Sequence, residues 1–127
     1  MIINYNDFNL NIKLHDSETS KAIQKLNDFK SKINTWGEEI YFETPLKTSK
    51  LDLNSRDVLN LGEVLAYWVE GSSIAIGFGP TPASLGNEIR LVTKVNIIGN
   101  YDVSGANLQF LKNLNDDYKI NIIINKL

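Results

Sequence analysis

Cysteine is absent, so the chain can form no disulfide and offers no thiol nucleophile or thiolate ligand. Histidine occurs once, as His15, and arginine only twice, as Arg56 and Arg90. With one imidazole and no thiolate, a zinc site or a histidine-based triad would have to be assembled from carboxylates. The expectation is therefore no metal, no cofactor and no catalytic residue. A surplus of positive charge is lacking too: 13 Lys and Arg stand against 15 Asp and Glu, for a net charge of −2. A sequence pI near 5.3 excludes the basic surface that displaces phosphate counterions, so nucleic acid is not an expected partner. No apolar stretch approaches the roughly 20 residues that span a bilayer, and no basic amphipathic segment suits a membrane surface. Met1-Ile2-Ile3-Asn4-Tyr5 lacks the charged region and apolar run of a secretory leader. A cytoplasmic location, away from membranes, is the expectation.

What is present reads as one domain over residues 1–127. A chain of 127 residues that is 43% hydrophobic and 22% charged can bury one core and is too short for two ordinary domains. There is no repeat, linker or low-complexity stretch. Met1 to Tyr5 is an apolar strand ending at Asn6-Asp7. Phe8, Leu10, Ile12 and Leu14 then alternate with polar residues, the period of a half-buried antiparallel strand. Asp16 and Ser17 are N-cap candidates, with Glu18 in the first turn. Ala22, Ile23, Leu26, Phe29 and Ile33 follow at spacings of three and four, which predicts an amphipathic helix running that far.

Ile33 to Pro45 carries much of the aromatic mass and reads as two short strands broken at Gly37. Leu46 to Asn54 is weakly patterned. Glu63 to Val69 and Ser73 to Phe78 are strand-like and joined at Glu70-Gly71-Ser72, where glycine can supply a positive φ. Gly79 to Asn87 holds two prolines and predicts a stiff, exposed loop. Ile89 to Ile98 is a further strand. Ser104 opens a short second helix with Leu108, Leu111 and Leu114 on its buried side. Tyr118, Ile120, Ile122 and Ile124 alternate in a last strand. Short strands with two helices describe a closed antiparallel barrel.

Four motifs lie in one order: Asn34-Thr35-Trp36-Gly37-Glu38-Glu39-Ile40-Tyr41-Phe42 with Thr44-Pro45; Gly62-Glu63-Val64 with Tyr67-Trp68 and Gly71; Phe78-Gly79-Pro80-Thr81-Pro82; and Glu88-Ile89-Arg90 with Val95-Asn96-Ile97-Ile98-Gly99. In this the chain resembles the small single-domain cyclophilin-like proteins of archaea and bacteria. Two departures stand out: Val69-Glu70-Gly71 where that family often has Pro-Pro-Gly, and Leu91 where it often has proline. The resemblance implies a mainly β fold: a closed antiparallel cyclophilin-like β-barrel with one main and one short helix. It transfers an architecture more than an activity.

Prolyl isomerisation is the activity cyclophilins suggest. The resonance barrier of about 18–20 kcal/mol is lowered in those enzymes by an arginine in a Phe-His-Arg strand after the first helix, with a Gln-Gly-Gly-Asp segment in support. Here that strand is Ile33-Asn34-Thr35-Trp36, without arginine, and no Gln-Gly-Gly-Asp occurs. Gly77-Phe78-Gly79-Pro80-Thr81 lacks the lysine and spacing of a phosphate loop, and Pro80 removes a donor. It reads first as a strand end and turn. Glu38 and Glu39, as strand neighbours, point to opposite faces, so they do not form an acid/base pair. If Ile40 and Phe42 fill the barrel, Glu39 and Tyr41 share its outer face beside Ala75 and Gly77. Those small residues leave room for a ligand.

The expected function is a binding module for a peptide or small molecule, probing the face where cyclophilins hold proline peptides. Its expected contacts are Trp36, Glu39, Tyr41, Phe78, Pro80, Thr81 and Arg90. The plainer readings are that the aromatics are core, that His15 is a solvated loop residue, and that Arg90 pairs with Glu39. A weak or divergent prolyl isomerase, or a structural or oligomeric subunit, are the alternatives.

Overall fold

A computed structural model describes residues 1–46, 50–53, 55–67 and 72–124. The N-terminal hairpin pairs β1 (Ile2–Tyr5) with β2 (Phe8–Asn11), turning through Asn6 at a φ of 52°. The chain continues through β3 (Lys13–Leu14), α1 (Glu18–Gln24), β4 (Phe29–Lys32), β5 (Asn34–Thr35) and β6 (Glu39–Glu43). Next come β7 (Arg56–Leu59), β8 (Glu63–Tyr67), β9 (Ser73–Gly77) and the long β10 (Ile89–Asn100). Helix α2 (Gly105–Asn113) and β11 (Lys119–Ile123) close the sequence. Both expected serine caps are present. Ser17 Oγ accepts from the Ser20 amide and Ser104 Oγ from the Asn107 amide, each satisfying an orphan donor of the first turn.

The fold is mainly β, and the described ladders do not show a closed barrel. The described ladders make a four-stranded sheet in the order β2-β1-β11-β4 and a seven-stranded sheet in the order β3-β10-β8-β9-β6-β5, with β7 paired to β10. Two strands change sheets midway: β2 gives way to β3 at Ile12, and β4 to β5 at Ile33. Both corner residues are buried, and bending there lets the two sheets face a common interior. Ile3, Leu10, Ile120 and Ile122 from the first sheet meet Ile40, Phe42, Val64, Ile74, Ile76 and Ile98 from the second, with Ile23 and Leu111 from the helices. Phe8 stacks on Phe110 at 4.5 Å between ring centroids and closes one end of this core.

The first helix is shorter than its sequence pattern suggests. It ends at Gln24, and Phe29 begins a strand that pairs with β11 through Phe29–Ile122 and Ser31–Ile120. Phe29, Ser31 and Ile33 fit a period of two as well as Phe29 and Ile33 fit a helical stripe. Pairing to β11 decided between them, and Asp28 fixes the junction by accepting the Ile124 amide at 2.7 Å.

A second correction concerns the core. Val95 and Ile97 do not join the main interior. With Leu59, Leu65, Ala75, Ile89 and Leu91 they form a separate apolar cluster on the opposite face of the seven-stranded sheet. Phe8 and Leu26 are only partly buried against the main core. Trp68, Gly71 and the turn at Glu70-Gly71 lie outside the described residues. Among the described residues no helix is long and apolar enough to cross a membrane.

Candidate functional site

The stretch around Gly37 is a two-residue hairpin loop. Trp36 and Glu39 exchange backbone hydrogen bonds of 2.9 and 3.2 Å, and Gly37 takes a φ of 59°. Glycine at the first central position matches the mirror-image turn that suits strand twist. The proline loop packs directly on this turn. The Glu38 amide donates to the Pro80 carbonyl at 3.0 Å, and the Phe78 amide to the Glu38 carbonyl at 2.8 Å. A Cβ on Gly37 would stand 2.8 Å from Pro82 Cδ, so only glycine admits the contact without movement.

Strand register then sets the faces. Glu39 lies opposite Gly77 and Tyr41 opposite Ala75, while Ile40 and Phe42 point into the main core. Cross-strand partners share a face, so Glu39, Tyr41, Ala75 and Gly77 stand together on the outer side, joined by Trp36. Trp36 and Tyr41 pack against the second apolar cluster and keep part of their surface in water. Glu39 is only 7% exposed. No hydrogen bond or ion pair reaches its carboxyl among the described residues, and burial pushes that carboxyl up to about 7. A carboxyl half-protonated near neutrality can donate or accept a hydrogen bond and can exchange a proton.

The floor that Ala75 and Gly77 keep low is occupied by the chain itself. The β7–β10 ladder folds over this face, and the space of a Gly77 Cβ lies 2.5 Å from Ile89 Cγ2 and 3.7 Å from Leu59 Cδ1. The pattern of small residues was legible, but their covering partners were not, because β7 and β10 meet across 30 residues of sequence.

The remaining expected site residues fall elsewhere. Phe78 packs against the main core, on the face away from Tyr41. Thr81 is buried: its hydroxyl donates to the Arg90 carbonyl, and its amide donates to Ser84 Oγ at 2.9 Å, so it staples the loop. Pro80 is exposed beside the Gly37 turn. Arg90 pairs with Glu88 at 2.6 Å and Asp57 at 3.1 Å, not with Glu39. Of the seven, Trp36, Glu39 and Tyr41 are brought together, and Pro80 adjoins them through the turn.

A depression of about 720 Å³ that the sequence did not suggest opens between the segment leading into α1 and β7, with His15, Asp16, Arg56 and Glu63 in its wall. Arg56 holds Glu63 in a two-pronged pair, one bond of which is 2.9 Å. Burial works upward on the Glu63 carboxyl, but the Arg56 bonds and the Asn60 amide outweigh it and hold it below its ordinary value. His15 is exposed and meets Asn100 Oδ1, as a loop histidine does.

The family model described as cyclophilin-like matches residues 1–123. The solution structure of the hypothetical protein AF2241 from Archaeoglobus fulgidus is similar, with a TM-score of 0.77 and 34% identity. The match covers 98% of this chain and 92% of that one. No curated protein matches the chain. Sequence motifs, family match and shared architecture agree, and the chain belongs to the cyclophilin-like family.

Proposed function

We propose that the protein is a non-catalytic binding module that takes a small molecule or short peptide on the outer face of β5 and β6. Trp36, Glu39 and Tyr41 make its principal contacts, and Pro80 stands at the rim. The observation that carries this reading is the Glu39 carboxyl, largely buried at the surface margin, with no hydrogen bond or ion pair among the described residues, beside two partly exposed aromatic rings. A largely desolvated carboxylate is costly to ionise, and a ligand N–H that bonds it recovers part of that cost. The chemistry suits an amide or amine N–H aimed at the carboxyl, with an apolar body against the rings.

The absence of catalysis rests on the arginines. Neither β4 nor β5 carries one, and the guanidinium groups of Arg56 and Arg90 are held by Glu63 and by Glu88 with Asp57. A donor committed to carboxylates is poorly placed to stabilise a pyramidal proline nitrogen. A cytoplasmic protein without nucleic-acid or membrane partners belongs to the same proposal.

Amide NMR titration with a library of amine-bearing and amide-bearing metabolites and proline peptides tests it. Saturable shifts at Trp36, Glu39 and Tyr41 are expected, and Glu39→Leu should abolish them. Shifts confined to the four-stranded sheet, or binding unchanged in Glu39→Leu, would defeat the assignment.

A further inference from the structure

Glu39 has aromatic neighbours in two directions. Trp36 stands opposite it across the Gly37 turn, where the two residues exchange backbone hydrogen bonds. Tyr41 follows two residues along the same face of β6. On the third side Gly77 and the Ile89 methyl group close the floor. The carboxyl therefore meets water at a margin whose other surfaces are rings and aliphatic carbon.

The chain brings no cation to pair with this carboxyl. β5 and β9 carry no titratable side chain, and β6 adds only Tyr41 and the exposed Glu43. Glu38, on the turn, lies against Gly79. On the covering ladder, Arg56 is held by Glu63, and Arg90 by Glu88 and Asp57. Lys94 of β10 is exposed and makes no ion pair among the described residues. None of these groups moves the Glu39 titration, which burial alone raises. The rings are uncommitted too: the ring stacks among the described residues are Tyr5 on Tyr118 and Phe8 on Phe110, and neither involves Trp36 or Tyr41.

From this geometry we infer that the occupant is a protonated amine on an apolar stem, an inference that rests on the binding face proposed above. The ammonium N–H donates to Glu39, and its charge lies against the electron-rich faces of Trp36 and Tyr41. Carboxylate and ring faces all attract a cation, and a water-poor margin strengthens both attractions. A neutral amide gains the hydrogen bond without the charge, and an anionic ligand is repelled. Binding is coupled to a proton. Below about pH 7 the Glu39 carboxyl is protonated; as the ammonium seats, its O–H bond breaks, the carboxylate keeps the electron pair and the proton leaves to solvent. A free alkylamine and a lysine side chain present the same chemistry.

Amide NMR titration with butylammonium, neutral N-butylacetamide and an end-blocked Gly-Lys-Gly peptide tests the inference. Butylammonium should give saturable shifts at Trp36, Glu39 and Tyr41. Its affinity should be about tenfold weaker at pH 6 than at pH 8, the ratio of ionised carboxyl for a midpoint near 7. Glu39→Gln keeps the side chain's size and removes its charge. It should weaken butylammonium about tenfold or more and erase the pH dependence, while leaving N-butylacetamide unchanged. Peptide binding as tight as that of butylammonium assigns a lysine side chain as the source; binding of butylammonium alone assigns a free amine. Tighter binding of N-butylacetamide than of butylammonium at pH 8 would overturn the inference and leave the binding face in place. Butylammonium affinity that is equal at both pH values, or unchanged in Glu39→Gln, would do the same. Shifts at Trp36, Glu39 and Tyr41 with none of the three compounds would remove the face itself, and the inference with it.

Discussion

Glu39 lies directly opposite Gly77 across β6 and β9, and the space above that glycine is filled by the methyl group of Ile89. The carboxyl therefore sits at the margin of an apolar layer that the chain lays over its own sheet. Stability, titration and ligand recognition on this face are tied to one contact.

Gly77→Ala should destabilise the fold by about 1–3 kcal/mol, the usual scale of overpacking. Its Cβ would meet Ile89 Cγ2 at 2.5 Å, so the Ile89 side chain must give way. Denaturant unfolding measures the loss, and Ile89→Ala in the same chain should recover part of it. A Gly77→Ala protein as stable as the parent would contradict the packing described.

Truncation within the main core should cost more. Phe42 and Ile76 are fully buried where the two sheets meet. Alanine at Ile76 should cost about 2–5 kcal/mol, and at Phe42 about 3–5 kcal/mol. Equilibrium unfolding of each variant is the check; a loss below about 1 kcal/mol at both would mean that this interior is not the shared core.

Stability should also depend on pH through Glu39. Its folded carboxyl titrates at about 7 against an ordinary value of 4.5, a raised value caused by burial. Below the ordinary value both folded and unfolded forms are protonated, and no penalty exists. As pH rises toward 7 the unfolded chain releases the proton first, and the folded state loses up to about 3 kcal/mol relative to a non-titrating side chain. Glu39→Gln should therefore gain on the parent between about pH 4.5 and 7 and hold a constant advantage above. A difference that does not change across that window would rule the linkage out.

Prolyl exchange should not be accelerated on simple proline peptides, because both arginines are held by carboxylates. Exchange NMR reads this directly. Rapid turnover that disappears in Arg90→Ala would identify that guanidinium as a working donor and displace the non-catalytic reading.

Much of this fold could be read in the sequence because its signals are local. Ser17 and Ser104 cap the helices where their positions suggest. Gly37 marks a hairpin, and alternation along β6 puts Glu39 and Tyr41 on the face opposite Ile40 and Phe42. The misreadings come from long-range pairing. Phe29 satisfied two periods at once, and only β11 decided for strand. The bends at Ile12 and Ile33 carry the chain between the two sheets, and neither position carries glycine or proline to announce a corner. Arg90 found Glu88 two residues away and Asp57 across the ladder, where the sequence offered Glu39. The shared face of Trp36, Glu39 and Tyr41 was legible, because it follows from alternation. Phe78 falls on the other face, against the main core, because the strand carries its alternation one residue past Gly77.

The account turns on a largely buried carboxyl at Glu39 with no hydrogen bond or ion pair among the described residues. Carbon-detected NMR of its side-chain carboxyl, followed from acid to alkaline pH, measures that property directly. A midpoint near 7 is the predicted result, with a chemical-shift change transmitted to Trp36 and Tyr41. A midpoint at the ordinary value near 4.5 would contradict it, since it would mean that Glu39 is solvated or paired and that the outer face of β6 holds no poised acid.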